Sequence, residues 1–200
     1  MTDFSESYNI ICEELITTGW SQQDNFLAPD LLDELILICR QQNVQGQFHA
    51  AGIGRSDQAD VNPTIRGDHI HWLEHGMSLG TDRYLDAMDR FRTTLNHSLF
   101  LGLDNLECHF AIYAPGAFYQ AHLDRFRDNN RRTISTVLYL NPDWLPQHAG
   151  ELRLHVDGQT IDIAPVANRL VCFLSADILH EVLPTTHERL SLTGWFRRRD

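Results

Sequence analysis

LECHFAIYAPGAFYQAHLD, residues 106–124, marks the point where the apolar period of the chain drops from helical to two. Leu106, Cys108, Phe110 and Ile112 recur at every second position, the pattern of a strand with one face in a core. Ala114-Pro115-Gly116 is a turn signal, and FYQAHL (118–123) resumes an extended pattern. Working outward toward the C-terminus, TISTVLYL (133–140), ELRLHV (151–156), TIDIA (160–164), RLVCFL (169–174), HEVLP (180–184) and RLSLTGWF (189–196) repeat it. They are punctuated by Asn129-Asn130, Asn141-Pro142-Asp143, Asp157-Gly158, Pro165 and Pro184. Eight short strands at this spacing predict an antiparallel double-sheet jelly roll, a double-stranded β-helix whose mouth can hold a metal.

Working outward toward the N-terminus, the period is helical. PDLLDELILICR (29–40) places Leu31, Leu32, Leu35, Ile36 and Cys39 on one face behind Pro29 and Asp30, good residues for a helix start. Residues 82–99 repeat the pattern with Tyr84, Leu85, Met88, Phe91, Leu95 and Leu99, and Thr81 is the candidate N-cap. These stripes predict helices packed on one face of a sheet. Residues 43–68, rich in Gly, Asn, Asp and Gln, predict a long exposed loop of the kind that serves as a lid. The expected fold class is α+β, mainly β. A single domain fills 1–200, with helical support and the loop in 1–105 and the jelly-roll core in 106–196.

Bulk properties narrow the function. Acidic residues outnumber basic ones 27 to 16, giving a formal charge of −11, which weighs against a nucleic-acid backbone as partner. Arg125, Arg127, Arg131 and Arg132 still form a local basic strip that could meet an acidic partner segment. Cys12, Cys39, Cys108 and Cys172 form no C-x-x-C pair and sit in apolar stretches, which reads as buried, reduced thiols. The N-terminus lacks a basic segment of the signal-peptide type, and no apolar run approaches the ~18 residues of a membrane span. A cytoplasmic protein without membrane association is expected.

The strand alternation says which polar groups point the same way. Ser135, Val137 and Tyr139 share one face, as do Arg189, Ser191, Thr193 and Trp195. His122 and Asp124, two positions apart at a strand end, share one face, and His180 opens a later strand. Two imidazoles and one carboxylate make the facial triad of non-haem iron(II) oxygenases, which leaves positions open for a co-substrate and dioxygen. His-x-Asp alone occurs in many chains. Arg189, beside inward-facing Thr193, adds the planar guanidinium that such an oxygenase needs to grip the far carboxylate of an oxoacid. Other metal readings are weaker. Pro184 stands where a helical zincin would place its second His after His180, and His69-x-His71 has no companion carboxylate and reads as exposed.

YAPGAFYQAHLD (113–124), TVLYLNPDW (136–144), GELRL (150–154), LVCFLSADILHEVLP (170–184) and ERLSLTGWF (188–196) resemble the prolyl hydroxylases that act on hypoxia-inducible factor, especially their bacterial branch. IRGDHIHWLE (65–74) resembles the segment before that branch's long helix. The resemblance implies that His122, Asp124 and His180 ligate Fe(II). It implies that Arg189 and Tyr139 hold the distal carboxylate of 2-oxoglutarate, with Tyr113 near the metal and Thr193 and Leu152 lining the co-substrate pocket. Tyr119, Arg132, Val182 and Trp195 would border the prolyl substrate, and Arg66 and Asp68 would sit at the base of a segment around 52–68 that closes over it. Dioxygen as co-substrate and ascorbate as reductant are implied too. So is a protein substrate with a target proline, by analogy a translation elongation factor. No counterpart of the animal enzymes' amino-terminal zinc-binding module or C-terminal helix is expected from residues 1–200, and the turns before Tyr119 and Leu152 read as about one residue shorter. Hydroxylation of a free amino acid and a non-catalytic oxygen- or 2-oxoglutarate-sensing module are the competing expectations.

Overall fold

The computed structural model describes residues 5–52, 61–124 and 131–199. In chain order the elements are α1 (Ser5–Thr17), β1 (Trp20–Gln23), α2 (Pro29–Val44), β2 (His49–Ala50), β3 (Asp68–Trp72), α3 (Leu79–Leu99) and β4 (Leu103–Tyr113). There follow β5 (Tyr119–His122), β6 (Arg132–Tyr139), β7 (Leu152–Val156), β8 (Gln159–Ile163), β9 (Leu170–Leu174), β10 (Leu179–Val182) and β11 (Arg189–Arg198). The eight strands expected from alternation are β4 to β11. They divide four and four between two antiparallel sheets: β9-β6-β11-β4 in the larger, and β5-β10-β7-β8 as the whole of the smaller. This is the double-stranded β-helix.

Three strands lie outside that expectation. β1 extends the large sheet beyond β9, and β3 then β2 extend it beyond β4. WSQQ and HA are too short and polar to show a period, and DHIHW hides its alternation under two histidines. Pairing of His49 and Ala50 with Ile70 and His69 also shortens the expected 43–68 loop, as does α2, which runs to Val44. Part of the expected closing segment, residues 53–60, lies outside the described residues. α3 is capped by Ser78, not Thr81. Ser78 Oγ accepts the Thr81 amide at 3.1 Å while Thr81 Oγ1 accepts the Ser78 amide at 3.0 Å, a capping box that moves the start three residues upstream of the expected one.

The helices cover one face of the large sheet. Tyr8 of α1, Phe91 of α3, Phe26 and Phe196 of β11 meet ring against ring there, at centroid separations of 4.8 to 6.2 Å. The opposite face turns toward the small sheet, so that Ala111, Tyr113, Val137, Tyr139, Val171 and Phe173 meet Leu152, Leu154, Ile163 and Val182. A two-residue period assigns the faces of β4: Cys108, Phe110 and Ile112 go to the helices, and His109, Ala111 and Tyr113 go inward. All four cysteines are buried and unpaired, and burial pushes the Cys39 and Cys108 thiols up to about 12. Among the described residues, no helix is long and apolar enough to cross a membrane.

Candidate active site

Between the sheets lies a cavity of about 680 Å³ whose lining includes His122, Asp124, His180 and Arg189. β5 and β10 pair so that His122 stands opposite His180, and Asp124 follows just past the end of β5. Three ligand atoms from these side chains lie within 4.8 Å of one another, the one such group of His, Cys, Asp or Glu among the described residues. Asp124 Oδ1 is 3.5 Å from His122 Nε2 and Asp124 Oδ2 is 3.6 Å from His180 Nε2.

The surroundings fit a divalent metal. His122 Nδ1 lies 2.7 Å from the Gln120 carbonyl and His180 Nδ1 3.1 Å from the Ile178 carbonyl. A carbonyl only accepts, so both rings carry their proton on Nδ1 and turn the Nε2 lone pair toward Asp124. Burial pushes the His180 imidazole down to about 4, against the pull of Asp124, so it is the neutral ligand form near pH 7. Burial works to raise the Asp124 carboxyl. The neighbouring imidazoles and a 2.6 Å hydrogen bond from Ser135 Oγ outweigh it and hold the group well below the usual carboxylate range. Ser175 backs Ser135 at 2.8 Å. Two neutral imidazoles and one ionised carboxylate form the donor set of an octahedral iron(II) site with open positions.

Arg189 is 1% exposed, and among the described residues its guanidinium forms no ion pair with a carboxylate. Its Nε donates to the Gly150 carbonyl at 2.8 Å, which fixes the stem. Its Cζ lies 5.0 Å from the Tyr113 ring and 5.1 Å from the Tyr139 ring. The Tyr139 hydroxyl is sealed from solvent beside the Arg189 guanidinium, and burial pushes it up to about 12, so it stays protonated as a donor. A buried cation with a buried O–H beside it suits a carboxylate. Leu152, Thr193 and Val182 line the same cavity, with Val182 opposite Tyr119 and beside Leu152 in register. Tyr119 stacks on His122 at 3.7 Å. Arg66 donates from Nε and Nη2 to both oxygens of buried Asp68, at 2.7 and 2.9 Å, and lies 4.8 Å from the Tyr119 ring. Arg132 lies 3.6 Å over the Trp195 indole and donates to Glu107.

Every expected site residue therefore has a place at or beside this one cavity. His71 departs from expectation: it is half-buried against Phe48, not exposed, and its Nε2 is sealed. The sequence reading missed His109 and Trp72, which line the cavity on adjacent strands in register with each other. His109 has the same parity as Tyr113 on β4, but an imidazole at that position reads equally well as a core residue.

Residues 108–197 match the 2OG-Fe(II) oxygenase superfamily. The chain is similar to a Pseudomonas putida prolyl-4-hydroxylase of known crystal structure, with 49% identity, a TM-score of 0.89, and coverage of 96% of this chain and 100% of the other. It is also similar to a Trichoplax adhaerens prolyl hydroxylase solved in complex with a hypoxia inducible factor oxygen degradation domain peptide fragment (27% identity, TM-score 0.87, 97% and 90% coverage). Egl nine homolog 1 of Mus musculus is 31% identical over 151 residues, which are 70% of this chain, and the match spans only 37% of that relative. The chain belongs to the 2OG-Fe(II) oxygenase superfamily, the iron(II)- and 2-oxoglutarate-dependent dioxygenases, and within it to the prolyl-hydroxylase type.

Proposed function

We propose that the protein hydroxylates a prolyl residue within a protein substrate. Dioxygen and 2-oxoglutarate are consumed, one oxygen atom enters the prolyl ring, and succinate and carbon dioxide leave. The observation that carries this reading is the buried Arg189 guanidinium in the same cavity as the His122–Asp124–His180 group, in a chain similar over its length to a prolyl-4-hydroxylase. When bound, iron(II) and 2-oxoglutarate together supply the oxidant for an unactivated C–H bond.

The chain's own residues supply position and charge. His122, Asp124 and His180 would hold the metal, and the iron(II) charge would be balanced by the Asp124 carboxylate and the dianionic co-substrate together with the Arg189 guanidinium. Arg189 and the Tyr139 hydroxyl hold the distal carboxylate. Leu152, Thr193 and Tyr113 shape that pocket and limit water. Tyr119, Val182, Trp195 and Arg132 border the prolyl ring, and the Arg66–Asp68 pair braces the start of β3. A translation elongation factor is the first candidate substrate, by analogy with bacterial members.

The test is to supply iron(II) and 2-oxoglutarate to the enzyme with a host lysate and, separately, with free proline. Tryptic peptides are then mapped for a prolyl residue heavier by one oxygen. The expected result is a hydroxylated prolyl site that depends on Asp124. Turnover of free proline with no modified protein would contradict the proposal and favour a small-molecule hydroxylase.

A further inference from the structure

We propose that His109 and Trp195 form a paired acceptor and donor that reads the substrate main chain beside the target proline. His109 Nε2 takes a peptide N–H and Trp195 Nε1 gives to a peptide carbonyl. The inference rests on the prolyl-hydroxylase reading and deepens it, because it makes a peptide, not a free amino acid, the preferred ligand.

Both side chains line the cavity, and both are almost wholly buried, at 1% and 4% exposure. His109 Nδ1 lies 3.1 Å from the Phe110 carbonyl, so the ring proton is on Nδ1 and Nε2 presents a lone pair. Among the described residues that lone pair has no hydrogen-bond partner, and neither does the Trp195 indole N–H. Unpaired buried polar groups are rare and costly, and two of opposite kind on adjacent strands of one wall need a reason. Their rings are 5.5 Å apart, centroid to centroid. The Trp72 edge fixes the His109 ring from one side at 5.0 Å, and the Arg132 guanidinium fixes the Trp195 plane at 3.6 Å.

The chemistry of the pair selects its ligand. Burial keeps His109 neutral, reinforced by Arg66 and Arg132 and opposed by Asp68. A neutral acceptor beside a neutral donor matches one N–H and one C=O of an extended chain. Neither atom carries the charge needed to offset fully the desolvation of the ammonium or carboxylate of free proline. A prolyl residue has no N–H, so the donated hydrogen comes from a flanking residue. Trp72, 38% exposed, packs against His109, whose Nε2 solvent does not reach, so the Trp72 ring has to shift when a peptide binds.

The probe is a capped pentapeptide with a central proline that the wild-type enzyme hydroxylates, together with analogues in which one amide N–H at a time is replaced by an ester oxygen. His109→Phe should raise KM for the parent peptide about tenfold, the value of one hydrogen bond, with kcat much less affected. His109→Gln, which keeps an acceptor, should recover most of the loss. One ester position should weaken the wild type about tenfold and leave His109→Phe unchanged, and calorimetric peptide binding to the metal-free proteins should follow the same order. Melting of His109→Phe at neutral pH should be no lower than wild type, since an unpaired acceptor is removed. Equal KM values for wild type and His109→Phe, or an equal loss at every ester position in both, would overturn the role of His109 alone. Turnover of free proline but of no peptide would overturn the prolyl-substrate reading and this inference with it.

Discussion

His122 and His180 are register partners across the antiparallel β5–β10 pair, with ring centroids 4.3 Å apart and Nδ1 of each tied to a carbonyl two residues before it. The same local bond on both strands aims both lone pairs at Asp124. Convergence thus comes from strand pairing, and the site inherits the rigidity of the small sheet.

Ser135 orients Asp124, the proposed third ligand. Its hydroxyl donates to Asp124 Oδ2 at 2.6 Å and is backed by Ser175. Ser135→Ala should weaken iron(II) binding by about 10- to 100-fold, the usual effect of losing such an outer partner, with the fold retained. Anaerobic iron titration followed by circular dichroism checks both halves. Unchanged affinity would leave Ser135 without a role at the metal.

Arg189 should govern the co-substrate more than the metal. Arg189→Ala should raise KM for 2-oxoglutarate roughly hundredfold or more, because a buried bidentate charge-assisted contact is lost. Arg189→Lys should rescue little, since a point charge lacks the planar fork. Parallel titrations of 2-oxoglutarate and iron decide the matter. An equal shift in both would make Arg189 structural.

Gly150 lies at φ +73°, and a Cβ there would stand 2.9 Å from Thr185 Cβ and 3.3 Å from Arg189 Cδ. Its carbonyl is the one that holds Arg189 Nε. Gly150→Ala should cost about 1–3 kcal/mol of stability and raise the 2-oxoglutarate requirement as the guanidinium is displaced. Thermal melting and co-substrate titration measure the two effects. A variant with wild-type values in both would show that the turn tolerates a side chain.

His109 should give the fold an acid-sensitive component. Burial pushes it down to about 4, from an ordinary value near 6.5. Above about pH 6.5 the ring is neutral in both folded and unfolded chains, so it costs nothing. As pH falls toward 4 the unfolded chain binds the proton first, and stability is lost by on the order of 3 kcal/mol. His180 carries the same sign in the metal-free protein, so the informative quantity is a difference. Denaturant unfolding of wild type and His109→Phe at several pH values should show a shallower decline for the variant across this window. Identical slopes would contradict the burial argument.

The jelly roll was legible because each core strand puts one face against helices or the other sheet, and that burial writes a period of two into 106–196. β1, β2 and β3 escaped because two are very short and polar, and tertiary pairing, not local pattern, makes them strands. The start of α3 was misplaced because Ser78 and Thr81 are both capping residues, and only the reciprocal bonds show which one is outside the helix. His122, Asp124, His180 and Arg189 were readable through parity and spacing. His109 and Trp72 were not, because an imidazole and an indole on strands read equally well as core.

His122, Asp124 and His180 should together hold one iron(II) in the presence of 2-oxoglutarate. The direct measurement is anaerobic titration of the metal-free protein with iron(II) at saturating 2-oxoglutarate, following the visible charge-transfer band of an iron(II)–oxoacid chelate. The account predicts a band that saturates at one iron per chain and is absent from Asp124→Ala, whose circular dichroism stays that of the wild type. A full band with the same stoichiometry in folded Asp124→Ala would contradict it.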